Sequence, residues 1–219
     1  MTPRTYDRRR AVSAVRRAAA VCAAFVLACV IAGCADQAGK APAGAPERPG
    51  PQQAAPVQEG GAATMVVTSP AFTDGGRIPV EHCMEGVPGG KNVSLPLSWS
   101  DAPPGTASFA VFVIDRHPVA RNWVHWAVVD LAPSTTSLPA GASGSLASPA
   151  RELVNTFGDR GYGGPMPPPG TGDHPYEVTV YALDVARLEV PVAPTAADIE
   201  RAVEGHVLGK GVITGVFSR

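Results

Sequence analysis

Three titratable side chains gather in the stretch SFAVFVIDRHPVARNWVHWAVVDL, which runs from Ser108 to Leu131: Asp115, His117 and His125. They sit where two apolar, strand-like runs meet. A charged group at the end of a buried strand needs a partner, because isolating it in apolar surroundings is costly. A second pair, His174 and Tyr176, enters a later run two residues apart, so their side chains share a face of that strand. Imidazole N–H and phenol O–H groups are donors suited to an anionic ligand. Asp115 near His125 is expected to favour the imidazolium and to strengthen its bonds to phosphate.

Other chemistries fit less well. Nucleophilic catalysis needs a serine or cysteine beside Asp and His. The chain has no Gly-x-Ser-x-Gly, and Gly141-Ala142-Ser143-Gly144 lies in a polar loop without strand-to-helix context. A hydrolase of phosphorylated or acyl substrates is therefore only an alternative. His82, Cys83, His117 and His125 lack characteristic zinc spacing, so neither a metal nor a cofactor is expected. Gly161–Gly164 leads into a proline run in place of a helix, which excludes a nucleotide fingerprint.

The elements that must position these groups can be read in outline. Ser108–Asp115 is almost wholly apolar, as in a strand covered on both faces. Val124–Leu131 alternates, which places His125, Ala127, Val129 and Leu131 on one face and Val124, Trp126 and Val128 on the other. Asn92–Ser100 alternates too, with Pro96 marking an edge or a bulge. Met65–Phe72 begins as a strand, and Tyr176–Asp184 and Gly211–Arg219 read as strands. Thr195, with Asp198 three residues on, opens a helix whose apolar stripe is Ala197, Ile199, Ala202 and Val203. Ala132–Asp173 carries Pro and Gly throughout, and loops of that length are usually functional. Its end, Gly161–Gly170, holds four prolines that fix φ, and X-Pro bonds there are candidates for cis. The expected fold is mainly β and mostly antiparallel, with about seven strands, one helix and a large loop.

The N-terminal third has a different character. Six arginines and one acid precede the apolar run Ala18–Gly33, the pattern of a secretory signal peptide. The run has 16 residues, short of the roughly 20 that a membrane span needs. Ile31-Ala32-Gly33-Cys34 resembles the lipobox of bacterial lipoproteins, which implies cleavage before Cys34 and lipid on that cysteine. Residues 1–33 form the signal, and residues 34–64, rich in Ala, Pro, Gly and Gln, form a disordered tether. A coil of that length holds a domain about 30 Å from a bilayer. Residues 65–219 form one domain. The expected location is exported and lipid-anchored, facing outside the cytoplasm. From Cys34 on, 12 Lys+Arg face 18 Asp+Glu, a net charge of −6 that argues against nucleic acid as a partner. Cys83 is then the one remaining thiol, so the domain has no internal disulfide and Cys83 reads as a small buried hydrophobe.

Taken in order, the motifs of the domain resemble the phosphatidylethanolamine-binding protein family, and within it the bacterial Raf-kinase-inhibitor-like branch. Ser69-Pro70-Ala71-Phe72 with Asp74-Gly75-Gly76, Asn92–Trp99, Trp123-Val124-His125-Trp126, Gly161–Pro165 with Pro167-Pro168, and Gly205-His206-Val207-Leu208 carry the resemblance. It implies a large central antiparallel sheet with a smaller second sheet and a C-terminal helix, and a cavity for phosphate or a phospholipid headgroup, built from Asp115, His125, His174 and Tyr176 and rimmed by Met166, Pro167 and Pro168. A small anionic ligand is the expected partner, with no catalysis. The alternative is a secreted modulator of a kinase or protease, acting through the loops 116–122 and 162–169. Three positions depart from the family pattern: His117 stands where a second aspartate is usual, Pro175 where an arginine is usual, and Met166 where the bacterial branch often has a cysteine. The first two are expected to alter charge at or beside the cavity.

Overall fold

The computed structural model describes residues 61–219; the signal segment, Cys34 and most of the tether lie outside the described residues. The strands are β1 (Ala63–Thr64), β2 (Val66–Thr68), β3 (Leu97–Ser100), β4 (Ser108–Asp115), β5 (Trp123–Leu131), β6 (Ser137–Leu138), β7 (Arg151–Glu152), β8 (His174–Leu183) and β9 (Val207–Phe217), with one helix, α1 (Ala196–Val203). Six strands form a large sheet in the order β1-β9-β8-β4-β5-β7, and β2-β3-β6 form a small one. Every pairing is antiparallel except that of β1 with β9. The mainly β architecture with two sheets and a helix is as the sequence predicts. The parallel edge is new, and it takes Ala63 and Thr64, assigned to the tether, into the sheet.

β4 is buried along its whole length, which is why its sequence is a continuous apolar run. Phe109, Val111 and Val113 face a core between the two sheets, where they meet Val67, Leu97, Trp99 and Leu138. Ala110, Phe112 and Ile114 face a second core on the other side, closed by α1 through Ala196, Ile199 and Val203. The helix begins as predicted: Thr195 Oγ1 accepts from the Asp198 N–H, and the Asp198 carboxylate accepts from the Thr195 N–H. Its buried stripe is shifted, however. Ala196 is inside and Ala197 is exposed, because the turn that caps the helix sets its rotation.

Strict alternation fails in β5. Ile114 pairs with Val124 and Val113 with Trp126, which leaves His125 as an extra residue; a second slip separates Val128 from Leu131. These are β-bulges, which re-aim side chains and deepen the local twist. Consequently Ala127 and Val129 face the helix-side core, while Leu131 and Trp126 face the inter-sheet core. His125 packs with Tyr176, a member of the inter-sheet core, and so does not share a face with Ala127 and Val129.

The long stretch from Ala132 to Asp173 is not without structure, since it contains β6 and β7. Among the described residues the cis peptide is Ser148–Pro149, outside the Gly161–Gly170 run in which cis bonds were expected.

Candidate functional site

Parity along two neighbouring strands assembles the site. On β4, Asp115 follows Val111 and Val113 on the inter-sheet face. On β8, His174 and Tyr176 precede Val178 and Val180 on the same face. Asp115 lies directly opposite Tyr176 in the ladder, so all three groups meet at one end of the sheet. The bulge at His125 turns a fourth group towards them from β5.

Asp115 and His174 are almost fully buried and joined, His174 Nδ1 lying 2.6 Å from Asp115 Oδ2. Asp115 Oδ1 accepts from the His117 N–H at 2.9 Å. The other nitrogen of His174 lies 2.9 Å from Thr171 Oγ1, and the Thr171 hydroxyl donates to the Pro168 carbonyl at 2.7 Å. Thr171 has one hydrogen and gives it to that carbonyl, so towards His174 it acts as an acceptor. Both nitrogens of His174 are therefore engaged within the protein.

His125 is placed differently. Its Nδ1 donates to the Gly163 carbonyl at 2.5 Å, while its own carbonyl accepts from the Gly163 N–H at 2.9 Å. Its ring meets Tyr176 and Phe157 edge to face. Burial pushes the imidazole down to about 4, against the opposing pull of the Gly163 carbonyl, the Asp115 charge and the Gly164 carbonyl. The sequence expectation of an Asp115-stabilised imidazolium at His125 is thus overturned. The carboxylate has His174 as its direct partner, and desolvation outweighs its distant charge on His125. Tyr176 has its phenol raised well above the ordinary range, mainly by burial and then by Asp115. Asp115 lies close to it, yet the hydroxyl has no hydrogen bond of ordinary geometry; nor has Trp123 Nε1.

These groups surround a cavity of about 210 Å³ whose lining includes all seven predicted residues: Asp115, His125, Met166, Pro167, Pro168, His174 and Tyr176. Val119, Ala120, Trp123 and Phe157 also line it and were not anticipated: Val119, Ala120 and Phe157 are apolar loop residues without a chemical signal, and Trp123, at the start of β5, entered the sequence reading only as part of a motif. No lysine or arginine is among the lining residues. His117 is not in the wall either; its ring stacks on His174 at 3.9 Å and 18° and covers it from outside. Pro175 has the opposite parity to His174 and Tyr176, so its ring lies on the far face of β8, and its carbonyl accepts from the Arg116 N–H. The replacement of a customary arginine there leaves the cavity wall untouched.

The rim is held by specific contacts. Asn92 donates to the Tyr162 carbonyl and accepts from the Gly164 N–H, and the Tyr162 hydroxyl donates to the His82 carbonyl. Gly164 passes so close to the His82 carbonyl that a Cβ would collide with backbone. Arg219 Nε donates to the Pro167 carbonyl at 2.6 Å. Cys83 is buried, and its thiol is pushed up to about 12 by burial, which suits a core side chain rather than a reactive one. Among the described residues, His82, Cys83, His117 and His125 do not come together as a ligand cluster.

Comparison with known proteins agrees with this fold. Residues 68–218 match the family described as phosphatidylethanolamine-binding protein. A Mycobacterium tuberculosis protein provisionally named lipoprotein LppC is 37% identical over 153 residues, which cover 70% of this chain and 72% of that one. The YbhB protein of Escherichia coli is 38% identical over 70% of this chain and 100% of its own length. The crystal structure of Escherichia coli YbcL, described as a new member of the mammalian PEBP family, superposes with a TM-score of 0.65 at 32% identity, covering 71% of this chain and 98% of that one. A homologue from Chlamydia trachomatis superposes with a TM-score of 0.59 at 31% identity, over 72% of this chain and 99% of that one.

Proposed function

Because this chain belongs to the phosphatidylethanolamine-binding protein family, we propose that it is a non-catalytic binding protein whose cavity takes a small oxyanion, phosphate or a phosphorylated headgroup being the simplest. One observation carries this reading. Two residues of the cavity wall, Tyr176 and Trp123, each carry a buried donor, an O–H and an Nε1–H, that no protein acceptor satisfies. A buried donor left unpaired costs about 1–3 kcal/mol, which a ligand oxygen can recover. The remaining polar groups of Asp115 and His174 are already paired, so the wall is stiff and preformed. A hydrolase finds no support here, since neither serine nor cysteine lines the cavity beside His125.

YbhB is matched over its entire length, so the domain is a whole protein there, and residues 61–219 are a natural unit for measurement. Phosphate and O-phosphorylethanolamine titrated into that unit are expected to bind, and His125→Ala is expected to weaken them at least tenfold. Absence of binding by the wild-type domain, or equal binding by the variant, removes the proposal.

We further propose that the mature chain begins at a lipid-bearing Cys34, is exported and is held at a membrane through the tether. The lipobox-like Ile31–Cys34 and the lipoprotein name of a 37% identical relative support this. No helix among the described residues is long and apolar enough to span a bilayer. The full chain expressed in a bacterium is expected to partition into detergent, and Cys34→Ala to move it to the aqueous phase. Detergent partitioning unchanged by the substitution would count against lipidation at Cys34.

A further inference from the structure

The loop that leaves β4 separates two spaces. Val119, Ala120 and Trp123 line the cavity on one side. On the other side the same three residues line a groove of about 610 Å³ that runs to Thr195, Ala196 and Ala197 at the start of α1. The ends of the loop are pinned. Arg116 donates through Nε and Nη2 to Glu177 Oε1 on β8, at 3.0 and 2.8 Å, and through Nη1 to Asn122 Oδ1 at 3.2 Å. Arg121 and Asn122 both lie in the left-handed region, at φ 52° and 59°, which non-glycine residues adopt uncommonly.

The middle of the loop is held by less. Val119 is 54% exposed, and the bonds that fold it start from His117. The His117 carbonyl accepts from the Ala120 N–H at 2.9 Å, and His117 Nδ1 accepts from the Val119 N–H at 3.3 Å. The second bond assigns the ring. An amide N–H only donates, so Nδ1 offers its lone pair, and the hydrogen of a neutral His117 is on Nε2. Protonation puts a second hydrogen on Nδ1, where it faces the Val119 N–H.

The surroundings of the ring disfavour the cation in this arrangement. His117 stacks on His174, whose two nitrogens face the acceptors Asp115 Oδ2 and Thr171 Oγ1. That ring is therefore the positive member of a pair with Asp115, and a second cation stacked on it is repelled. The two carboxylate oxygens of Asp115 are already engaged, one by the His117 backbone N–H and one by His174. The other charged groups of this corner are Arg116 and Glu177, which bind each other, Glu200 of α1, 3.8 Å from Arg116, Arg121 in the loop, and Asp173 beside His174 in the chain.

We propose that His117 is a pH-sensitive latch on the cavity wall: the neutral ring holds Val119 and Ala120 closed, and its protonation frees them to swing about Arg121–Asn122 towards the outer groove. The sign follows from linkage. The closed turn accepts only the neutral ring, so opening takes up a proton and is favoured as pH falls. Acid thereby joins the cavity to the groove. The latch itself needs no ligand; its effect on ligand access rests on the oxyanion reading of the cavity.

The test is nuclear magnetic resonance of ligand-free residues 61–219 between pH 7.5 and pH 5, above the range in which His125 titrates. Acrylamide quenching of fluorescence accompanies it, and because Trp99 and Trp126 are buried, added quenching reports Trp123. His117 is expected as the Nε2–H tautomer at pH 7.5, with the Val119 and Ala120 amides titrating at the midpoint of its ring. The ratio of closed to open loop is expected to fall about fivefold, the worth of one ordinary hydrogen bond, and quenching to rise in step. His117→Ala should be open at both pH values. His117→Asn, whose side-chain oxygen accepts the same N–H two residues on but does not titrate, should stay closed at pH 5. A Val119 amide indifferent to the His117 ring, or a transition that persists in His117→Asn, overturns the latch and leaves the oxyanion reading standing. Calorimetric titration with inorganic phosphate separates the two: no binding at any pH removes that reading and leaves the latch.

Discussion

The two ends of β5 make a natural comparison, because each has a bulge, a buried titratable residue and a neighbouring loop, yet they are built to opposite ends. At one end Asp130, in a left-handed conformation at φ 61°, is 2% exposed and fully engaged. Its carboxylate accepts from Arg151 Nε at 2.5 Å and from the Leu188 N–H at 2.8 Å, while Arg151 also donates to the Leu188 carbonyl. That closed knot fastens β7 and the Leu188 segment to the sheet. At the other end His125 is equally buried, but two residues of the cavity wall, Tyr176 and Trp123, keep a buried O–H and Nε1–H without a partner. Native interiors satisfy nearly all of their buried polar groups, so two open donors in one wall mark a place kept for something else. A buried polar residue by itself indicates neither structure nor function. What distinguishes them is whether its partners are already present.

The sharpest way to break the comparison is to open the closed end. Asp130→Ala leaves Arg151 and the Leu188 N–H uncompensated, and is expected to lower stability by about 3–5 kcal/mol in urea unfolding. Phosphate affinity of the protein that remains folded should change little, because the knot is remote from the cavity wall. A large affinity loss would show that the two ends are coupled.

The open end should reveal itself in the pH dependence of stability. His125 is held near 4 when folded and returns to about 6.5 when unfolded, so between those values the unfolded chain binds more protons. The sign follows: this residue imposes no penalty above about pH 6.5, and stability is lost as pH falls from there towards 4, by about 3 kcal/mol at most. Denaturation midpoints at pH 7 and pH 4.5 should show this slope in the wild type and a shallower one in His125→Phe. Equal slopes would mean that His125 is not buried as a neutral ring.

A smaller effect is expected at the rim. Gly164→Ala places a Cβ against the His82 carbonyl, which cannot yield as a flexible side chain would. The expected cost is about 1–3 kcal/mol, with weakened phosphate binding, because the same loop holds Gly163 against His125. The smallest effect is the most discriminating. Tyr176→Phe removes an unpaired buried hydroxyl, so stability should stay level or rise by up to about 1 kcal/mol while phosphate affinity falls. A loss of stability there would mean that the hydroxyl is satisfied after all, and that the contrast between the two ends of β5 is weaker than drawn.

Much of this was legible in the chain. The apolar run Ser108–Asp115 could be only a strand buried on both faces, and Thr195 with Asp198 could be only the start of a helix. His174 and Tyr176, two apart on a strand, had to share a face, and the family motifs pointed to all seven predicted residues now found in the cavity wall. The misplaced features have a common cause. A bulge adds one residue without any mark in the sequence, so alternation assigned the face of His125 wrongly. Val119, Ala120 and Phe157 carry no chemical label and became visible only when the loops closed around them, and the unpaired N–H of Trp123 likewise shows only in the folded wall.

By itself, then, the sequence determined the long strands, the helix cap and the set of groups that meet at the end of β4, since these depend on local periodicity and residue chemistry. Tertiary structure alone decided which partner each group takes. Asp115 went to His174 and not to His125, and His125 gave its hydrogen to Gly163, because ladder register and a bulge fix distances that spacing along the chain cannot. That allocation turned an expected cationic ring into a neutral one.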